Sequence, residues 1–350
     1  MVLPIKSFLR HEIGSPWERT TRSWALGGAV ELWHDRMEDT TGTGGRFRLG
    51  WVKWACDLAM KLEKSPTSEE VRMETVWTGT LKKMRVVSAA PVEYHFADGW
   101  WEKDKRMDDH RVNDHLGQHL MIHFTGEINC TACGRKTKKT FGPGYCFPCS
   151  QSRAEADICI VRPELCHHGE PDNPCRDEAF AQSQCFQPHI LYCSMTSGVK
   201  VGITRQPNVP ARWIDQGAVA AIPVARMADR RTVGLVEKRL SDEGFADKTH
   251  WTRMLKESPE DFDLNETAQR VVKRLTEWGA EGILPAAERI EHRFEYPVQV
   301  WPEKVKSLNL DKEPEAGGTL QGIKGQYLIF DVGVINLRKY TGYKVEILAG

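Results

Sequence analysis

No stretch of this chain approaches the ~18 consecutive apolar residues of a membrane span, and its first residues, MVLPIKSFLRHEIGSPW, hold no apolar core followed by a small-residue cleavage site. These absences argue against a membrane partner and lead us to expect a cytoplasmic protein. Net charge is missing as well: 48 Lys and Arg balance 48 Asp and Glu over 350 residues. A polycation that coats nucleic acid or anionic lipid by bulk charge is excluded, so any such binding has to come from a local patch. What the chain does have is 40% hydrophobic residues, enough to bury real cores in two to three domains of ~100–200 residues each. It also has ten cysteines, eight of them between residues 130 and 185. A reducing cytosol disfavours disulfides, and such crowding points to metal.

The chain reads as an α+β protein. Residues 1–76 form a helical N-terminal region, with amphipathic segments Trp24 to Met37 and Trp51 to Leu62 on either side of the Gly/Thr-rich stretch Thr40 to Gly45. Trp17, Trp24, Trp33, Trp51 and Trp54 are expected to be its core. From Trp77 the texture turns to short β-rich runs, TLKKMRVV, PVEYHF and HLMIHFTGEI, and a second β-rich stretch, QYLIF, VINLRK and YKVEIL, closes the chain. TGTLKKM at 78–84 is echoed by GGTLQGIKG at 317–325. Residues 77–128 and 296–350 are therefore expected to build one β-rich body around three inner segments: a metal-binding region at 129–188, an α/β module at 189–258 and a helical connector at 259–295. In the connector Leu264, Ala268, Val271, Val272 and Leu275 fall at helical spacing.

Cys130-x2-Cys133 and Cys146-x2-Cys149 are twelve residues apart, each pair in a glycine-containing tight turn. This is the layout of a zinc ribbon, in which two knuckles pinch one ion; four thiolates leave no open coordination position, so the site is expected to be structural. Downstream, Cys159, Cys166, Cys175 and Cys185 stand among His167, His168 and His189, interrupted by GEPDNP, a poor core-forming sequence. We expect a second zinc there, with the four cysteines as ligands and His167 or His189 as possible substitutes. Cys56 and Cys193 lie in apolar contexts and read as buried thiols. Between Glu127 and Glu155 the chain carries Arg135, Lys136, Lys138, Lys139 and Arg153 with no acid. Such a patch either grips phosphates or offsets the charge of a four-thiolate zinc.

Residues 189–240 read as strand, turn, strand, loop, helix from near Ala211, strand, then helix from about Arg231. The segment resembles the GIY-YIG nuclease superfamily: Ile190-Leu191-Tyr192 stands at the first motif, Lys200-Val201-Gly202 at the second, Arg212 at the helix arginine and Glu237 at the metal-binding glutamate. Two positions depart from that pattern, Ile190 for glycine and Lys200 for tyrosine. The resemblance implies that Tyr192, Lys200, Arg212 and Glu237 address one phosphodiester, as base or orienting group, cation and carboxylate, with Mg2+ or Mn2+ on the carboxylate. Arg205, at the end of KVGITR, joins the nucleic-acid-binding candidates.

Over about residues 77–350 the chain closely resembles a bacterial family known as a domain of unknown function. The shared residues are the KM of TLKKM, FTGEINCTACGRKTKKTF, GYCFPC, Cys166-His167, Cys175-Arg176, KVGITR, RWIDQGA, SLNLDK and GIKGQYLIFDVGVINLRK. The function expected first is a metal-dependent nuclease acting on DNA or structured nucleic acid, with DNA ahead of RNA; the alternatives are a non-catalytic, zinc-dependent nucleic-acid-binding module with a degenerate nuclease site and a zinc-held protein-interaction scaffold.

Overall fold

A computed structural model of the chain describes residues 73–98, 110–245, 250–257 and 262–350. All of them lie within one unit, Glu70–Gly350. The expected helical region at 1–76 and its tryptophans fall outside the described residues, apart from 73–76.

The architecture is α+β. Strands β1 (Glu74–Thr80), β5 (His119–Ile128), β10 (Glu315–Lys324), β11 (Tyr327–Phe330), β12 (Gly333–Asn336) and β13 (Tyr343–Ala349) form a six-stranded antiparallel sheet in the order β1-β13-β5-β10-β11-β12. Both flanks of the chain thus interleave in one sheet: β13 runs between β1 and β5, with Val345 opposite Gly79 on one side and Phe124 on the other. The alternation of YKVEILA explains the fit, because Tyr343, Val345, Ile347 and Ala349 turn inward while Lys344 stays exposed. Strands β2 (Arg85–Val87), β3 (Glu93–Phe96) and β4 (His110–Arg111) make a small second sheet.

The third sheet contains β6 (His189–Met195), β7 (Val199–Arg205), β8 (Ala220–Met227) and β9 (His292–Arg293), ordered β7-β6-β8-β9. Every residue of β6 is buried, as its unbroken apolar run HILYCSM requires of a central strand covered on both faces. One face, with Ile190 and Tyr192, shares a core with Trp213 and Ile214 of the short helix Ala211–Asp215 and with the six-stranded sheet. The opposite face, with Leu191 and Cys193, packs on helices Arg230–Asp242 and Leu264–Glu277.

Both helices start at carboxylate caps: Asp229 accepts from the Thr232 amide at 2.8 Å and Asp263 from the Glu266 amide at 2.9 Å. In the second helix Leu264, Ala268, Val271 and Leu275 form the buried stripe that their spacing predicts. The segment 259–295 differs from the expected connector. Its helix covers the back of the third sheet and His292–Arg293 adds that sheet's fourth strand, because an apolar stripe of this width has to be buried against a layer.

Candidate functional site

The first metal-binding group grows from the end of β5. Cys130 and Cys146 are buried, Cys149 is half-buried and Cys133 is exposed, and the four sulfur atoms all lie within 4.8 Å of one another. The Cys133 and Cys146 sulfurs are 3.9 Å apart. Two knuckles hold them. The Cys130 amide donates to the Arg135 carbonyl at 2.8 Å, closing the first turn, and the Thr131 amide donates to the Gly144 carbonyl at 2.9 Å, tying it to the second. Gly144 has φ +101°, and a Cβ there would stand 2.4 Å from the Thr131 methyl, so only glycine lets the knuckles touch.

The electrostatics of this tetrad call for a cation. Burial pushes the Cys130 thiol up, but amides of Cys146, Ala132 and Cys133 outweigh it and leave it at about 6. Burial and the sulfurs of Cys146, Cys133 and Cys130 push Cys149 up to about 12. Four crowded sulfurs cannot all ionise unless a metal takes up the charge. The residues present fit a tetrahedral ion of the zinc class.

The second cysteine group lies differently from expectation. Cys159, Cys166, Cys175 and Cys185 line one small cavity together with Asp157 and His167. The compact donor set there, however, is Asp157, Cys159 and His167, whose ligand atoms lie within 4.8 Å of one another. Cys175 instead points its thiol at the Asp177 carbonyl, 3.6 Å away. His189 does not line this cavity; it sits at the start of β6, fully buried, with Nδ1 donating to the Gln187 carbonyl at 2.7 Å and no partner on Nε2.

The third group gathers at β7, the edge strand. Tyr192 on β6 stands opposite Gly202 on β7, and Lys200 stands opposite Ser194, so the tyrosine and lysine share a face. A Cβ at Gly202 would lie 2.8 Å from the Tyr192 hydroxyl, so this glycine lets the ring lie across β7. Helix Ala211–Asp215 brings Arg212 and Gln216 to that hydroxyl, which donates to Gln216 Oε1 at 2.8 Å. Helix Arg230–Asp242 packs beside β7 and delivers Glu237 and Arg230.

Glu237 and Arg212 act on both Lys200 and Arg230, Glu164 acts on Glu237, Arg230 also feels the Cys185 and Cys159 sulfurs, and Lys200, Arg212, Glu237 and Arg230 are all half-buried. Burial, then Arg212, lowers Lys200 to about 8, while Glu237 opposes the shift. Burial raises Glu237 to about 7 against the pull of Arg230, Lys200 and Arg212. Tyr192 is different: it is 0% exposed, and burial holds its phenol at about 12 despite Arg212. The four residues expected to converge do meet electrostatically, but Tyr192 is a buried strut behind the other three, because its ring fills the core against Trp213.

Arg230 was not among the expected residues; the signal that points to it is the first cation after the capping Asp229 in Asp229-Arg230-Arg231. Its guanidinium donates to the Ile160 carbonyl, and its buried Nε has no hydrogen-bond partner.

The helix that carries Arg212 is moored from far along the chain. Gln326 is buried between the Met84 backbone, which donates to its Oε1 at 2.6 Å, and Asp215, whose Oδ1 accepts from Nε2 at 3.0 Å. Lys83 donates to Asp215 Oδ2 at 2.5 Å. The KM, RWIDQGA and GIKGQ segments thus meet at one junction that fixes Arg212 and Gln216.

The remaining candidates are dispersed. Arg135, Lys136, Lys138 and Lys139 are exposed on the first knuckle; Lys136 faces Glu127 at 3.8 Å and Lys139 lies over the Phe141 ring. Arg205, at the end of β7, reaches Asn208 at 3.5 Å and lies close enough to Cys185 and His189 to act on their charge.

A family model described as "Protein of unknown function (DUF2797)" matches residues 117–345, a span that contains both cysteine groups and the β7-edge cluster. No curated protein and no solved structure matches the chain. Among the described residues no helix is long and apolar enough to cross a membrane.

Proposed function

Taking as premise that this chain belongs to the DUF2797 family, we propose that it is a zinc-stabilised nucleic-acid-binding protein that grips the phosphodiester backbone at the edge of β7. The tetrad Cys130, Cys133, Cys146 and Cys149 holds zinc as a structural clamp. The frame of hairpin, helix, strand and helix is the GIY-YIG-like one, used here for binding. The observation that carries the reading is the convergence of Lys200, Arg212 and Arg230 around the carboxylate of Glu237 at a half-buried edge, with Tyr192 sealed behind them. Three cations against Glu237 and the neighbouring Glu164, partly removed from water, favour an anion, and the unpartnered Arg230 Nε is a donor for one of its oxygens. A phenol at about 12 inside the core cannot take a proton from a water in the cleft.

The test is fluorescence anisotropy with labelled single- and double-stranded DNA and RNA oligonucleotides. Arg212→Ala and Arg230→Ala are each expected to weaken binding by ~10-fold or more and to flatten the dependence on salt, since each removes one phosphate contact. Undiminished binding by both variants would overturn the reading. DNA is the expected ligand ahead of RNA.

Cleavage is a second reading, favoured by one observation: Lys200, at about 8, can lose its proton near neutral pH beside Glu237. Here Mg2+ or Mn2+ on Glu237 and the phosphate would stabilise the leaving oxygen, as one carboxylate plus substrate oxygens suffices for such an ion. Incubation with either metal separates the two readings. Product formation that drops ~100-fold or more in Glu237→Ala establishes cleavage, and binding without product establishes the grip.

A further inference from the structure

The cavity downstream of the tetrad carries chemistry that the phosphate-binding reading does not use. Asp157 is buried and His167 nearly so, with side-chain exposures of 7% and 12%. The His167 Nδ1 lies 2.7 Å from the Asn173 carbonyl, which can only accept, so Nδ1 carries a hydrogen. In neutral imidazole that leaves Nε2 as a lone pair, and it faces another electron-rich atom, Asp157 Oδ2, at 3.4 Å. The Cys159 sulfur completes a set within 4.8 Å.

Two acceptors aimed at each other in a buried place need something positive between them. The spacing suits a metal: two ligands bound at ~2.0–2.1 Å in tetrahedral geometry lie ~3.3–3.4 Å apart. The hydrogen bond from Nδ1 to a backbone carbonyl is the usual outer support that fixes a ligating histidine. Arg176 donates to Asp157 Oδ2 at 2.9 Å, as outer partners do for ligating carboxylates. Cys166 and Cys185 supply further thiols from the same cavity wall.

We propose that Asp157, Cys159 and His167 form a second metal centre of the zinc class, closed by one thiolate from Cys166 or Cys185. The donor set of nitrogen, sulfur and oxygen selects a borderline ion such as zinc over Mg2+ or Ca2+. The centre supports its neighbourhood. The turns at 158–165 pack against helix Arg230–Asp242, where Gly234 makes room for Pro163 (a Cβ would stand 2.4 Å from it), and the Ile160 carbonyl holds Arg230. The metal centre stands on its own geometry, independent of the phosphate reading.

The experiment is elemental analysis of the full chain, followed by cobalt(II) substitution. The parent is expected to hold two zinc ions, and Cys159→Ser and His167→Ala one each, retained in the tetrad. A Cys133→Ser protein, altered at an exposed tetrad position, is expected to bind one cobalt with the visible bands of a tetrahedral site of mixed nitrogen, sulfur and oxygen ligation. One zinc in the parent would overturn the proposal and leave an ion pair between protonated His167 and Asp157. Unchanged zinc content in both Cys159→Ser and His167→Ala would overturn it too. If a variant fails to fold and loses all metal, the parent stoichiometry and the cobalt spectrum of the Cys133→Ser protein still decide.

Discussion

Oligonucleotide affinity is expected to fall steadily between pH 6 and pH 9, in two overlapping steps with the same sign. At pH 6 Glu237, raised to about 7, is mostly protonated, and Lys200, lowered to about 8, is charged. With Arg212 and Arg230 the cluster then presents roughly three positive charges. By pH 9 Glu237 has ionised and Lys200 has largely lost its proton, which leaves about one net positive charge facing a phosphodiester whose own charge does not change over this range. The groups that set these values are Arg212 from the short helix, Arg230 from the same helix as Glu237, and Glu164 from the turn packed against it. A single linked group changes affinity by at most tenfold per pH unit past its pKa, which caps the two together at ~1000-fold by pH 9; with both groups only partly coupled to the phosphate the expected fall is about 10- to 100-fold, or ~1.4–2.8 kcal/mol. The assay is anisotropy at constant low ionic strength. Glu237→Gln should remove the step near 7, and Lys200→Arg the step near 8. A flat or rising profile in the parent, or both steps persisting in both variants, would refute the reasoning.

Gly202→Ala puts a methyl 2.8 Å from the hydroxyl and 2.9 Å from Cζ of a fully buried Tyr192; overpacking of this kind should cost ~1–3 kcal/mol in urea unfolding, and a cost below ~0.5 would mean the ring does not lie across β7. Cys146→Ser should eliminate tetrad zinc and lower the melting temperature, as should a strong chelator acting on the parent, because metal affinity at a structural site is folding energy. Removing residues 326–350 takes away β11, β12 and β13, leaving β1 without its partner and β5 and β10 with open edges; the truncated chain should aggregate, and a soluble, monomeric product would show that the sheet does not depend on its C-terminal strands.

Much of this organisation was legible in the sequence wherever a pattern is local. The alternation of YKVEIL, the stripe from Leu264 to Leu275 and the paired Cys-x2-Cys turns each carry their own period or spacing, and each appears where it was expected. The echo of TGTLKKM by GGTLQGIKG was also informative, although β1 and β10 share the six-stranded sheet without being neighbours. What could not be read is what depends on packing between distant elements. Nothing local says that Tyr192 would be sealed by Trp213, that Gln326 would bind both Met84 and Asp215, or that Arg230 would hold the Ile160 carbonyl. The same holds downstream of the tetrad: the sequence shows four thiols, while a buried aspartate two residues before Cys159 is invisible until the fold brings it to His167.

The position of β13 between β1 and β5 has a consequence for the order in which the protein can be made. Strands β1 and β5 leave the ribosome long before the strand that joins them, Tyr343–Ala349. Translation of the residues from Ile128 to Ala349 takes roughly 10–45 s at ~5–20 residues per second. Through most of that interval β5 has neither strand neighbour, and once β10 is made it still lacks β13, while the metal knuckles and the β6 to β8 sheet, built from nearer contacts, already have theirs. The six-stranded sheet therefore closes late, around parts that were assembled first. A nascent chain stalled near residue 340 is the form most in need of a chaperone.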